Sequence, residues 1–275
     1  MQVRSGQVIM AALASGGVQV VWAAPSSVLS AASGGMKISC VASGSDKIPR
    51  ELVAKKEIKS IEELRGKVFG VQSIGGGMWL RAMMMLEKLG VDTERHQLRM
   101  RVVGDDATNL QALIAGTIDG AILSYGFSSQ AKRAGLRSLA DGAELKTPFQ
   151  GSTLCLQRDA IENSRDFIMR LVKGMIEALV FVLSPRYKDD TMQILKKNLR
   201  LGTAEDVEAS YKVLRLMTTL DVSPNWEAWT TMQRIVSRLN PKVGQVELSQ
   251  VLNGSFVRGL EETGFLPEMR KKLGG

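Results

Sequence analysis

The sequence predicts an α/β fold built as two related lobes, with a helical tail at its C-terminal end. Three observations carry this. A string of helix, glycine stop, apolar strand and second helix recurs at an interval of 100 residues. The middle of the chain alternates short apolar strands with amphipathic helices, the pattern of a doubly wound parallel sheet. From about residue 157 onward the periodicity is helical almost throughout.

The recurrence comes first along the chain. "QVIMAALASGGVQVVWAAPSS" and "NLQALIAGTIDGAILSYGFSS" align with Ala12 on Ala112, Leu13 on Leu113, Gly16 on Gly116 and Val18 on Ile118. Gly16 and Gly116 stand where a glycine ends a helix. "VQVVWA" and "GAILSY" are short, apolar and β-prone, as strands buried on both faces are. The first copy, with Arg4, an apolar stretch and small residues near Ala24, could pass for a secretory leader. Its match to a copy deep inside the chain reads instead as folded structure.

Next, "KSIEELRGKVFGVQS" gives a short helix opened by the capping box Ser60 and Glu63, stopped by Gly66 and followed by a strand. The turn "SIGGG" then leads into a helix from about Met78 to Leu89, whose run Met83–Met84–Met85 reads as core. "HQLRMRVVG" is a strand and "DDATNLQALIAG" a helix, capped by Asp105, Asp106 or Thr108. In the tail, Thr203 and Ser223 are expected as N-caps, the latter with Pro224 at the first helical position. No apolar run reaches the about 18 residues of a membrane span; "GMIEALVFVL" is short and carries Glu177.

Composition excludes several functions. Aromatic residues are 5% of the 275, too few for base-stacking platforms. The net charge of +8 is dispersed, with Lys55, Lys56, Lys59, Arg65 and Lys67 interleaved among glutamates, so a solvated surface is expected rather than a nucleic-acid interface. The two cysteines, Cys40 and Cys155, lie in apolar strand-like runs and read as small buried hydrophobes; the sequence leaves open whether they are bonded. With His96 the one histidine, no metal-ligand cluster forms, and neither a metal nor another cofactor is expected.

The glycine turn carries the clearest chemistry. A strand, a Ser/Gly turn and a helix N-terminus together present unpaired backbone N–H groups and the positive end of the helix dipole. The turn matches neither a dinucleotide fingerprint nor a P-loop. Asp105 and Asp106 read as caps rather than as an acid–base pair. Arg4 and Arg81 lie near helix starts and read as solvated.

Taken together, "EIKSIEELRGKVFGVQSIGGGMWL", "NLQALIAGTIDGAIL" and the tail ending "SFVRGLEETG" resemble the NMT1/THI5-like, SsuA/TauA-type solute-binding proteins of ABC importers. The resemblance implies a type II periplasmic-binding-protein fold, two α/β lobes with a hinge and a ligand in the cleft. It places lobe one at 1–52 and 155–275, lobe two at 55–150, and the crossings at 50–57 and 147–158. It also implies that a strand, helix and second strand usually precede the first helix, so the chain is expected to be N-terminally truncated. The aspartate after the glycine is present as Asp119 but is replaced by Gln19 in the first copy.

Carried over by position, the ligand-binding residues would be Ser5, Gly6, Ser26 and Ser27, then Ser73, Gly76, Gly77, Asp106, Tyr125 and Phe127, with Ser152 or Thr153 from the return crossing. The resemblance implies a non-enzymatic, monomeric binding protein that is periplasmic or extracytoplasmic. Its partners would be a small solute (a sulfonate, nitrate, pyrimidine precursor or aromatic acid) and the permease subunits, with no nucleic acid. Thiamine-pyrimidine synthases share the fold and form the enzymatic alternative; a cysteine-rich motif and an essential histidine are expected of them, against the two isolated cysteines and single histidine here. LysR-type effector domains are related but lack the helical tail.

Overall fold

The computed structural model describes residues 6–273. The chain divides into two units, one made of Met1–Asp46 and Pro148–Gly275 and the other of Lys47–Thr147. Unit one begins with α1 (Gly6–Ala14), β1 (Val20–Ala23), α2 (Pro25–Ser33) and β2 (Ile38–Ala42). Unit two contains β3 (Arg50–Ala54), β4 (Val68–Val71), α3 (Gly77–Lys88) and β5 (Arg99–Val102), then α4 (Asp106–Ile114), β6 (Gly120–Ser124), α5 (Tyr125–Arg133) and β7 (Arg137–Asp141). The chain returns to unit one as β8 (Thr153–Gln157), α6 (Asp159–Asn163) and α7 (Arg165–Leu183). It continues through α8 (Lys188–Leu199), α9 (Ala204–Met217), α10 (Trp226–Ser237), α11 (Leu248–Val251), α12 (Ser255–Glu262) and α13 (Phe265–Lys271).

The recurrence in sequence is a recurrence in structure. α1 and α4, β1 and β6, and α2 and α5 each start 100 residues apart. Gly16 and Gly116 both adopt φ +74°, a left-handed conformation that strains any residue with a Cβ, and their N–H groups bond the Leu13 and Leu113 carbonyls at 3.2 and 3.1 Å.

The sheets are mixed rather than wholly parallel. In unit two the order is β5-β4-β6-β3-β7. β4 runs parallel to β5 and β6, whereas β3 runs antiparallel to β6 and β7. In unit one the order is β1-β8-β2, with β8 antiparallel to both neighbours. The reversed strand in each case is the one that arrives from the other unit. It is not reached by a crossover helix within its own sheet, which is what makes neighbouring strands parallel. Residues 50–57, expected as a crossing, form β3 and its following turn, and β3 lies within the sheet of unit two.

Each unit has its own apolar core. In unit one Val41, Leu154 and Leu156 of the sheet pack against Ile168, Val172 and Ile176 of α7 and Phe256 and Leu260 of α12. In unit two Val53, Ala121 and Leu123 pack against Leu110 and Leu113 of α4 and Ala131 of α5. The methionine run is buried core, at 6, 1 and 0% exposure for Met83, Met84 and Met85. Cys40 and Cys155 are fully buried and face each other across β2 and β8, where they are joined in a disulfide.

Local capping departs from expectation at two places. The segment after Ser60 is a single 3₁₀ turn over Glu62–Leu64. The Glu63 carboxylate reaches back to the Lys59 N–H at 2.9 Å, and the Ser60 side chain bonds Glu62, so no capping box closes. Thr203 caps α9 as expected, through the Asp206 N–H. Ser223 does not cap α10; Asn225 does, accepting the Ala228 N–H at 2.9 Å. The buried Gln150 draws the chain in there, donating to the Ser223 carbonyl and accepting from the Asn225 N–H and the Trp229 indole.

Candidate ligand-binding site

In unit two the glycine turn divides its work among three residues. Gly75 has φ +77°, which only glycine adopts without strain. Gly76 has φ −76° and stands at the N-cap of α3; a Cβ there would crowd the Ser73 hydroxyl, which would have to rotate away. Gly77 opens the helix. No side chain caps α3, so its first N–H groups face outward beside the exposed Ser73 hydroxyl.

Arg81 is not the solvated side chain the sequence suggests. It sits one turn into α3, half-buried, and donates from Nη1 to the Gly77 carbonyl at 3.1 Å. Burial and the neighbouring Arg50 guanidinium pull its pKa down to about 10. Arg50, on β3, donates from Nη1 to both carboxylate oxygens of Asp106, at 2.9 and 2.8 Å. The Asp106 carboxylate also accepts the Ser124 N–H, at 3.1 Å, where α5 begins. Asp106, expected to meet a ligand, is thus held in an ion pair that ties β3 to the starts of α4 and α5. Asp105 caps α4, accepting the Thr108 N–H at 3.1 Å.

Tyr125 donates its hydroxyl to Asp141 at 2.7 Å. Burial first, and then the Asp141 carboxylate, hold the phenol far above its ordinary pKa, so it remains a donor at all working pH values. Phe127 is half-buried and packs against the core of unit two.

In unit one, Ser5 lies outside the described residues. Gly6, the first residue of α1, packs against Ser27, whose side chain a Cβ at Gly6 would overlap. Ser26 is 1% exposed and its hydroxyl has no hydrogen-bond partner. No side chain caps α2, whose first residue, Pro25, has no N–H and whose Ser27 and Val28 N–H groups bond the Ala24 carbonyl at 3.0 and 3.2 Å, so this buried hydroxyl stands beside a helix start with little left to donate. Thr153 is fully buried, and its hydroxyl donates to the Gly151 carbonyl at 3.3 Å; the Ser152 carbonyl accepts from Ser43.

Arg50 is the site residue that sequence reading does not find. It lies in a stretch expected to link the lobes, and its partner carboxylate is 56 residues away. Arg50 and Asp106 neutralise each other, and the Arg81 guanidinium lies against the first turn of the uncapped α3. The arrangement suits an anionic group or a strong hydrogen-bond acceptor.

The profile of the family described as "NMT1/THI5 like" matches residues 3–185. No curated protein matches the chain. Among solved structures, the periplasmic aliphatic sulphonate binding protein SsuA of Escherichia coli is 23% identical, with a TM-score of 0.69, covering 91% of this chain and 80% of that one. The alkanesulfonate-binding protein SsuA of Xanthomonas axonopodis pv. citri, bound to MOPS, is 16% identical, with a TM-score of 0.67 and coverage of 92 and 84%. A Candida albicans protein with the generic periplasmic-binding-protein fold is 13% identical, with a TM-score of 0.62 and coverage of 89 and 82%. The fold is that of the periplasmic binding proteins, and with two thirds of its length matched the chain belongs to the NMT1/THI5-like family.

Proposed function

We propose that this protein is the substrate-binding component of an ABC importer and captures a small anionic organic solute. The observation that carries the reading is the uncapped start of α3, with Gly75–Gly77 clearing its backbone and Arg81 folded over its first turn. Ser73, Gly76 and Gly77 supply backbone and hydroxyl donors, Arg81 supplies charge, and the Arg50–Asp106 pair fixes the surrounding helix starts. In unit one, Ser26 and Ser27 stand at the repeated position with a free buried hydroxyl. The sulfonate-binding relatives favour a sulfonate over nitrate, pyrimidine precursors and aromatic acids.

One further fact supports binding over catalysis. Cys40 and Cys155 are bonded to each other, so among the described residues there is no free thiol nucleophile. A buried disulfide also accords with an oxidising, extracytoplasmic location, where the protein would act as a monomer delivering solute to permease subunits.

A thermal-shift screen of the purified chain tests this, using alkanesulfonates, nitrate, aromatic acids and pyrimidine precursors. A ligand present at a hundredfold excess over its Kd adds about 2.7 kcal/mol to folded-state stability. The expected result is a shift with alkanesulfonates that Arg81→Gln removes. Absence of a shift with every class, or a shift that Arg81→Gln leaves intact, overturns the reading.

A further inference from the structure

Unit one contains a cavity of about 410 Å³ that is separate from the helix starts described above. It opens where β2 begins and β8 ends. β1 and β2 both run antiparallel to β8, so Ser26 and Ser27 lie beyond the opposite end of the sheet, about 17 Å away for a strand of five residues.

Three cations from three distant segments converge on this cavity. Lys37 precedes β2. Arg158 follows β8, and its backbone N–H bonds the Lys37 carbonyl at 2.9 Å. Lys242 comes from the 3₁₀ turn Pro241–Gln245, which packs on α2. The lining includes one carboxylate, Glu247. It accepts from the Gln250 amide at 3.1 Å, while the Gln250 oxygen receives only a long contact of 3.4 Å from Arg158 Nη1. Arg158 Nε is buried with no partner at all. Among the described residues, no carboxylate pairs with Lys37, Arg158 or Lys242.

Bringing three like charges together costs Coulomb energy, and burying a guanidinium N–H without an acceptor costs more. An anion in the cavity would relieve the first. We propose that this cavity is a second binding site, one for a small oxyanion carrying two or more negative charges, held by the Arg158 guanidinium, Lys37 and Lys242. The cavity has the size of ordinary small-ligand pockets, so polycarboxylates fit as well as phosphate or sulfate.

Isothermal titration of the full chain with inorganic phosphate, sulfate and citrate, at fixed ionic strength, tests the proposal. At least one of the three is expected to bind saturably at one site per chain. The double variant Lys37→Gln/Lys242→Gln, altered only at exposed positions, is expected to bind roughly tenfold more weakly or worse, and Arg158→Gln to lose binding. Arg81→Gln should leave this site unchanged, which separates it from the solute site. Saturable binding by none of the three, equal binding by the double lysine variant, or loss of binding in Arg81→Gln would overturn the proposal.

Discussion

The disulfide between Cys40 and Cys155 should govern how unit one melts. In the folded protein the two residues already face each other in the β2–β8 ladder, so the bond adds little native contact. Its effect lies in the unfolded chain, where it closes a loop. The sequence separation is 115, of which 101 residues are the whole of Lys47–Thr147. The size of the stabilisation therefore depends on whether unit two is folded when unit one opens.

If the entire chain unfolds at once, the loop is fully flexible and its closure entropy is worth about 4.8 kcal/mol. If unit two stays folded, its own structure brings the two ends of its segment together. β3 lies beside β7, and the Gly142 N–H bonds the Arg50 carbonyl at 2.7 Å. The flexible part is then 14 residues, and the stabilisation falls to about 3 kcal/mol. Divided by the unfolding entropy of what melts, the whole chain in the first case and unit one in the second, both values correspond to roughly 8 °C in melting temperature. Differential scanning calorimetry of the oxidised chain against Cys40→Ala/Cys155→Ala measures it. A single transition lowered by that amount means the units unfold together. Two transitions, with only one of them lowered, mean that unit two unfolds independently. Unchanged transitions in the variant would refute the loop-closure reasoning in both forms.

Two other perturbations probe unit two. Gly76→Leu places a side chain over Ser73 at a φ that any residue tolerates, so solute binding should vanish while urea stability changes by no more than about 1 kcal/mol. Gly75→Ala, at φ +77°, should cost about 1–2 kcal/mol by the same measurement, and retained binding in Gly76→Leu would remove that residue from the site. Asp119 gives a pH signature. Burial raises its pKa, but hydrogen bonds from Lys55 and the Val68 N–H, with the Lys55 charge, lower it further, for a net value below the ordinary one. Its stabilisation is thus complete above about pH 4 and is lost as pH falls through the depressed value. Asp119→Asn should therefore cost about 1 kcal/mol at neutral pH, a cost that shrinks as pH falls below about 4, read from urea melts across that range; a pH-independent difference would contradict the assignment.

What the sequence discloses here is what repeats or punctuates. The interval of 100 residues, the helix-stopping glycines and the Ser/Gly turn before α3 each follow from local backbone physics, and each is where the residues indicate. Hydrophobic periodicity likewise identifies the tail helices. Partnerships across distance are not legible in this way. That Arg50 pairs with Asp106, that Arg81 folds onto Gly77, and that Gln150 shifts the cap of α10 from Ser223 to Asn225 all depend on which segments the fold brings together. The direction of β3 and β8 escapes for the same reason: periodicity marks a strand but is silent on which neighbour it runs beside.

One departure inside the repeat, Asp119 against Gln19, has a physical account in the two sheets. Asp119 precedes β6 and its carboxylate accepts the N–H of Val68, the first residue of β4, at 2.8 Å, while Lys55 closes on its other oxygen at 2.7 Å. It fastens β4 to β6 at the start of their ladder. Gln19 stands at the same point before β1. Among the described residues β1 has β8 on one side and no strand on the other, so no backbone N–H stands where Val68 does in unit two. A carboxylate there would have no strand to fasten. The glutamine amide instead turns back to the Gly16 carbonyl, at 3.4 Å. At this position the copies differ because the aspartate's task, in unit two, is to hold a strand for which the described residues of unit one show no counterpart.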